Sequence, residues 1–122
     1  MNRSAEKIQD SELAVMRVLW EAGTPLPLIE IRRILAERCG WEDSTVKTLL
    51  RRLQAKGAVR LERRGVYASL VSEAEYSEWS TQNFLDKLYA GSAKKLVASL
   101  VSEGKLSQDD IDELSSMFKV GD

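Results

Sequence analysis

Apolar residues recur along this chain at helical spacing in several stretches and at strand spacing in two short ones. Leu13, Met16, Val18, Leu19 and Trp20 form a first broad face that stops at Gly23. Asp10 or Ser11 is expected to cap this helix, with Glu12 at the positive end of its dipole. Pro27 is placed like a first-turn proline for a second helix, Leu28 to Arg38, whose stripe is Leu28, Ile31, Ile34 and Leu35. Cys39-Gly40 ends it. Val46, Leu49, Leu50 and Leu53 fall at i, i+3, i+4, i+7 and predict a third helix, which Gly57 stops in a left-handed conformation. Val59 to Glu62 and Val66 to Leu70 alternate as two strands around Arg63-Arg64-Gly65, a tight connection in which glycine supplies positive φ. Before all of these, Met1 to Gln9 is polar apart from Ile8 and is expected to be frayed.

The outer face of the third helix carries Ser44, Thr45, Lys47, Thr48, Arg51 and Arg52, with no carboxylate after Asp43. Taken alone, such a face is either a solvated helix side or a nucleic-acid contact. The hairpin that follows, with its basic tip, favours the second reading. Three helices and then a hairpin is the order of a winged helix-turn-helix, with the third helix entering the major groove and Arg63 and Arg64 lying on the phosphate backbone.

The remaining stretches are helical. Ser72-Glu73-Ala74-Glu75 has the capping-box pattern and opens a helix bearing Tyr76, Trp79, Phe84, Leu85, Leu88 and Tyr89 before Gly91. Ser92 to Ser102 carries Leu96, Val97, Leu100 and Val101. Ser107-Gln108-Asp109-Asp110 caps a last helix with Ile111, Leu114, Met117 and Phe118. Fifty residues make a thin core, so these faces are expected to pair with a second copy. The fold class expected is mainly α with a small β-hairpin wing. A winged-helix DNA-binding domain would span residues 1–72, and a three-helix dimerisation domain residues 73–122.

Charge supports this division. The net charge is −1. Residues 1–72 hold 13 Lys/Arg against 9 Asp/Glu, whereas residues 73–122 hold 5 against 10. The basic part suits DNA, and the acidic part suits self-association. One cysteine, Cys39, excludes an intrachain disulfide, and the absence of histidine removes the usual zinc ligands and the commonest general base. No cofactor, metal site or enzymatic activity is expected. No long apolar span or secretory leader is recognisable, so a cytoplasmic protein is expected.

Taken with their joint spacing, these residues resemble the penicillinase-repressor family of winged-helix repressors, which controls β-lactamase and methicillin resistance and has copper-responsive relatives. The resemblance is carried by Asp10-Ser11-Glu12-Leu13-Ala14-Val15-Met16-Arg17-Val18-Leu19-Trp20, by Trp41 with Thr45 to Leu53 and Lys56-Gly57, and by Tyr67. Phe84 to Gly91 and Leu106 to Leu114 complete it. It implies a homodimeric transcriptional repressor on a palindromic operator, blocking transcription until the dimer or its DNA binding is lost. It also implies that Thr45, Lys47, Thr48 and Arg51 meet base edges or adjacent phosphates, with Ser44 beside them. Arg52 would be a phosphate contact or a surface ion pair, and Arg63 and Arg64 wing contacts. The dimer would be held by Tyr76, Trp79, Phe84, Leu88, Leu96, Leu100, Ile111, Leu114 and Phe118. A sensor-linked protease is an implied partner of the β-lactam branch, which is cut at an Asn-Phe bond. The aligned pair here is Ser99-Leu100, which puts cleavage in question. The cysteine cluster of copper-responsive members has no counterpart in the tail Lys119-Val120-Gly121-Asp122, so metal-triggered release is not expected.

Two other classes compete. A ligand-sensing winged-helix regulator would need an apolar pocket near Tyr76, Trp79 and Phe84. A winged helix used only for protein contacts would need no basic face. Trp20, Trp41 and Trp79 read better as core or interface residues than as base-stacking platforms, and Asp109, Asp110 and Asp112 as helix capping rather than a cation site.

Overall fold

The computed structural model describes residues 8–118 of the chain. Helix α1 spans Asp10–Ala22, strand β1 Leu26–Pro27, α2 Leu28–Cys39 and α3 Asp43–Ala55. Strands β2 (Val59–Glu62) and β3 (Val66–Ser69) follow, and then α4 (Glu73–Tyr89), α5 (Ala93–Ser102) and α6 (Gln108–Met117). This is a mainly helical fold with a small antiparallel sheet in the order β1-β3-β2. Val59 pairs with Ser69 and Glu62 with Val66, so the hairpin closes over Arg63, Arg64 and Gly65.

The first strand was not expected. Pro27 is not a first-turn residue: it is extended, with φ −67° and ψ 149°, and serves as the N-cap of α2 while pairing with Val66. Proline suits an edge position because it has no N–H to leave unpaired. The start of α1 also differs. Gln9 is the N-cap, and it forms a reciprocal capping box with Glu12, whose carboxylate accepts the Gln9 backbone N–H at 3.0 Å. Asp10 and Ser11 therefore lie inside the helix. Ile8, expected in a frayed segment, is buried in the core.

That core is where the three apolar stripes meet. Val15, Met16, Val18 and Leu19 of α1 pack with Ile31 and Leu35 of α2 and with Val46, Leu49, Leu50 and Leu53 of α3, closed by Ala58, Val59 and Val71. Full burial of each large aliphatic side chain contributes roughly 1.5–3 kcal/mol, enough together to hold three short helices that would not persist alone. Gly57, at φ 79°, takes the left-handed conformation that lets the chain leave α3 and enter β2.

The chain forms two compact units, residues 1–80 and 81–122. The boundary falls inside α4, eight residues beyond the position expected between domains. Tyr76 and Trp79 explain the difference, because both pack against the core of the first unit. In the second unit, Ser92 caps α5 and Ser107 caps α6 with a capping box completed by Asp110. Leu85 is buried there, whereas Leu88, Val97, Val101, Leu114, Met117 and Phe118 stay exposed in a single copy. No helix among the described residues is long and apolar enough to cross a membrane.

Candidate nucleic-acid interface

Burying Val46, Leu49, Leu50 and Leu53 turns the opposite side of α3 outward. Ser44, Thr45, Lys47, Arg51 and Arg52 are exposed on it, and Thr48 is half-buried. Arg63 and Arg64 are exposed at the hairpin tip, where Arg64 adopts a left-handed conformation (φ 63°, ψ 31°) beside Gly65 at φ 69°. The expected positive φ at Gly65 is present, and an arginine shares it.

Ion pairing separates these cations from the rest of the first unit. Arg33 bridges Glu30 and Glu37, and the Glu30 carboxylate beside it raises its pKa above the ordinary arginine value. Arg38 holds Glu21, Arg60 holds Glu62, Arg32 holds Asp43 and Lys56 holds Glu12. Among the described residues, Lys47, Arg51, Arg52, Arg63 and Arg64 have no such partner; outside α3 and the wing, Arg17 is the other unpaired cation of this unit. Uncommitted charge on one helix face and one hairpin tip is what a polyanion can neutralise without first breaking internal pairs.

Residues 8–119 match the family described as penicillinase repressor. The chain belongs to the penicillinase repressor family. It is 32% identical over 116 residues to the penicillinase repressor of Bacillus licheniformis, covering 93% of this chain and 90% of that protein. It is 31% identical over 121 residues to the methicillin resistance regulatory protein MecI of Mammaliicoccus sciuri, covering 97% and 98%. The solution structure of the DNA binding domain of the repressor BlaI resembles it with a TM-score of 0.54 at 32% identity, over 62% of this chain and 94% of that one. Membership in the penicillinase repressor family makes this protein a transcriptional repressor with a winged-helix domain, and not an enzyme.

The residues expected at a dimer interface fall in two places. Phe84, Leu88, Leu96, Leu100, Ile111, Leu114 and Phe118 lie in the second unit, exposed or half-buried. Tyr76 and Trp79 are instead engaged with the first unit: Tyr76 stacks at 5.8 Å from Trp20 and 6.2 Å from Trp79. Beside this aromatic group, Leu19, Trp20, Leu70, Val71 and Glu73 line an open groove of about 510 Å³.

Sequence reasoning missed the ion pairs at the two ends of α3, Arg32 with Asp43 and Glu12 with Lys56. A signal for the second was present. Glu12 precedes Val15, Met16 and Leu19 by three, four and seven residues, which puts a carboxylate on the buried stripe and demands a buried partner.

Proposed function

We propose that this protein represses transcription as a homodimer that places α3 of each copy in the major groove of a palindromic operator and rests each wing on the adjoining backbone. The observation that carries this reading is the set of cations on α3 and the wing without an ion-pair partner among the described residues, in a unit whose other described cations, Arg17 aside, are internally paired. Thr45, Lys47, Thr48 and Arg51 face base edges or adjacent phosphates, with Ser44 at the groove entrance. Arg52, Arg63 and Arg64 neutralise phosphates. Phosphate contacts supply most of the affinity and its salt dependence, while two or three side chains per half-site supply sequence preference.

Dimerisation follows from the second unit, where Leu88, Val97, Val101, Leu114, Met117 and Phe118 expose apolar surface that a second copy can cover. Two tethered winged helices read two half-sites, so the operator is symmetric, with half-site centres whole helical turns of about 10 bp apart. Repression is by occupancy, and it ends when the dimer or its hold on DNA is lost.

The test is an electrophoretic mobility-shift titration with DNA from just upstream of the protein's own gene and its neighbours, at two salt concentrations. Tight, salt-sensitive binding with two chains per palindromic fragment is the expected result. In the same assay Arg51→Glu abolishes operator binding and leaves the dimer intact. Retention of full affinity by that variant rules out α3 as the reading helix.

A further inference from the structure

Among the described residues the first unit buries one carboxylate, and that carboxylate is attached to the end of α3. Glu12 is only 1% exposed; it accepts the Gln9 backbone N–H at 3.0 Å and the Lys56 ammonium at 2.6 Å. Lys56 is the C-cap of α3, one residue before Gly57 turns the chain toward β2. At the other end, Asp43 opens α3 and pairs with Arg32 of α2. Helix α3 is thus tied to α1 at its C-terminus and to α2 at its N-terminus. Each tie also puts on α3 the charge that its dipole favours at that end.

We propose that these two ion pairs form a clamp that sets the pose of α3, making Glu12, Lys56, Arg32 and Asp43 positioning residues for base recognition rather than DNA contacts. The inference rests on the reading of α3 as the recognition helix. Between the two ties α3 meets the core through Val46, Leu49, Leu50 and Leu53. Apolar packing is non-directional: it keeps that stripe buried but restrains slide and rotation of the helix less sharply than hydrogen-bonded charges at its ends. Base edges need donors held to about half an ångström, whereas attraction to a phosphate falls off slowly with distance. Loosening the clamp therefore costs discrimination before it costs general affinity. Stability alone is a poor reason for the buried pair, because apolar residues of similar volume commonly hold such a site as firmly.

Two charge-neutral double variants of the full-length protein test this: Glu12→Gln with Lys56→Gln, and Arg32→Gln with Asp43→Asn. Each removes one positive and one negative charge, so net charge is unchanged, and the buried Glu12 carboxylate is neutralised together with its Lys56 partner. Thermal unfolding is measured beside mobility shifts on the operator and on random DNA. The expected result is a roughly tenfold fall in the operator-to-random affinity ratio, with binding to random DNA within about twofold of wild type and a near-native melting temperature. Lys56→Arg, which preserves the pair, keeps the wild-type ratio. A wild-type ratio in both well-folded double variants overturns the clamp. Equal losses on both DNAs with a shallower salt slope also overturn it, by marking Lys56 or Arg32 as phosphate contacts. Failure of the wild-type protein to discriminate any operator overturns the recognition-helix reading and the clamp with it, which separates that failure from one confined to the variants.

Discussion

Trp20 donates its indole N–H to the carbonyl oxygen of Val71 at 2.8 Å, joining the last turn of α1 to the residues between β3 and α4. The same ring stacks on Tyr76. One side chain therefore ties the first helix of the winged-helix unit to the start of the helix that leads out of it. Trp20→Phe keeps most of the ring and loses the donor. Because the Ser69 hydroxyl also reaches the Val71 carbonyl, at 2.5 Å, the expected cost is only about 1 kcal/mol. Trp20→Ala also removes the stacked ring and costs roughly 3 kcal/mol. Urea unfolding followed by fluorescence of the remaining tryptophans distinguishes the two.

Arg64 stands in the left-handed region, where a side chain other than glycine or asparagine costs roughly 1 kcal/mol. Its side chain is exposed and forms no ion pair among the described residues. Strain at an exposed arginine points to use of its charge rather than to folding. Arg64→Gly is expected to raise stability by about 0.5–1 kcal/mol while weakening DNA binding and flattening its salt dependence by about one phosphate contact. Denaturant titration and salt-dependent mobility shifts measure the two effects separately.

Leu88 is 64% exposed in one copy, so a charge there has little to disturb within that copy. Leu88→Glu is expected to shift sedimentation equilibrium toward monomer and to weaken operator binding by at least tenfold, leaving circular dichroism unchanged. A dimer of unaltered affinity would remove Leu88 from the interface.

Asp110 accepts the Ser107 backbone N–H at 2.9 Å, and this bond, followed by its interaction with the Ser107 hydroxyl, holds its pKa below the ordinary aspartate value of 3.8. A depressed folded-state pKa stabilises α6 above the unfolded-chain pKa, and the contribution is lost as pH falls through the folded one. Acid titration should therefore loosen the start of α6 only below the ordinary aspartate range. Asp110→Asn abolishes this dependence, as read by amide chemical shifts at residues 107–111.

The order of the six helices and of the hairpin was legible because each helix announces itself by apolar spacing, and most add a local start or stop signal. The Ser72, Ser92 and Ser107 starts and the Gly57 stop are local chemistry, and they stand where expected. The basic face of α3 follows from the same logic: a helix that buries Val46, Leu49, Leu50 and Leu53 must show Lys47, Arg51 and Arg52 to the outside.

What local pattern could not convey is pairing between distant segments. Pro27 looks like a helix opener until β3 offers it a strand to lie against, and Tyr76 looks free for a partner copy until Trp20 is brought within stacking distance. Glu12 is the sharpest case. Its residue type and position suit the positive end of a helix dipole, but burial beneath α3 makes it an internal charge that needs Lys56, 44 positions away. Sequence determined which side chains face outward on α3 and which helices need a cover. Tertiary structure decided which cations were already taken, because the strength of a charge pair depends on distances that only the packed core sets.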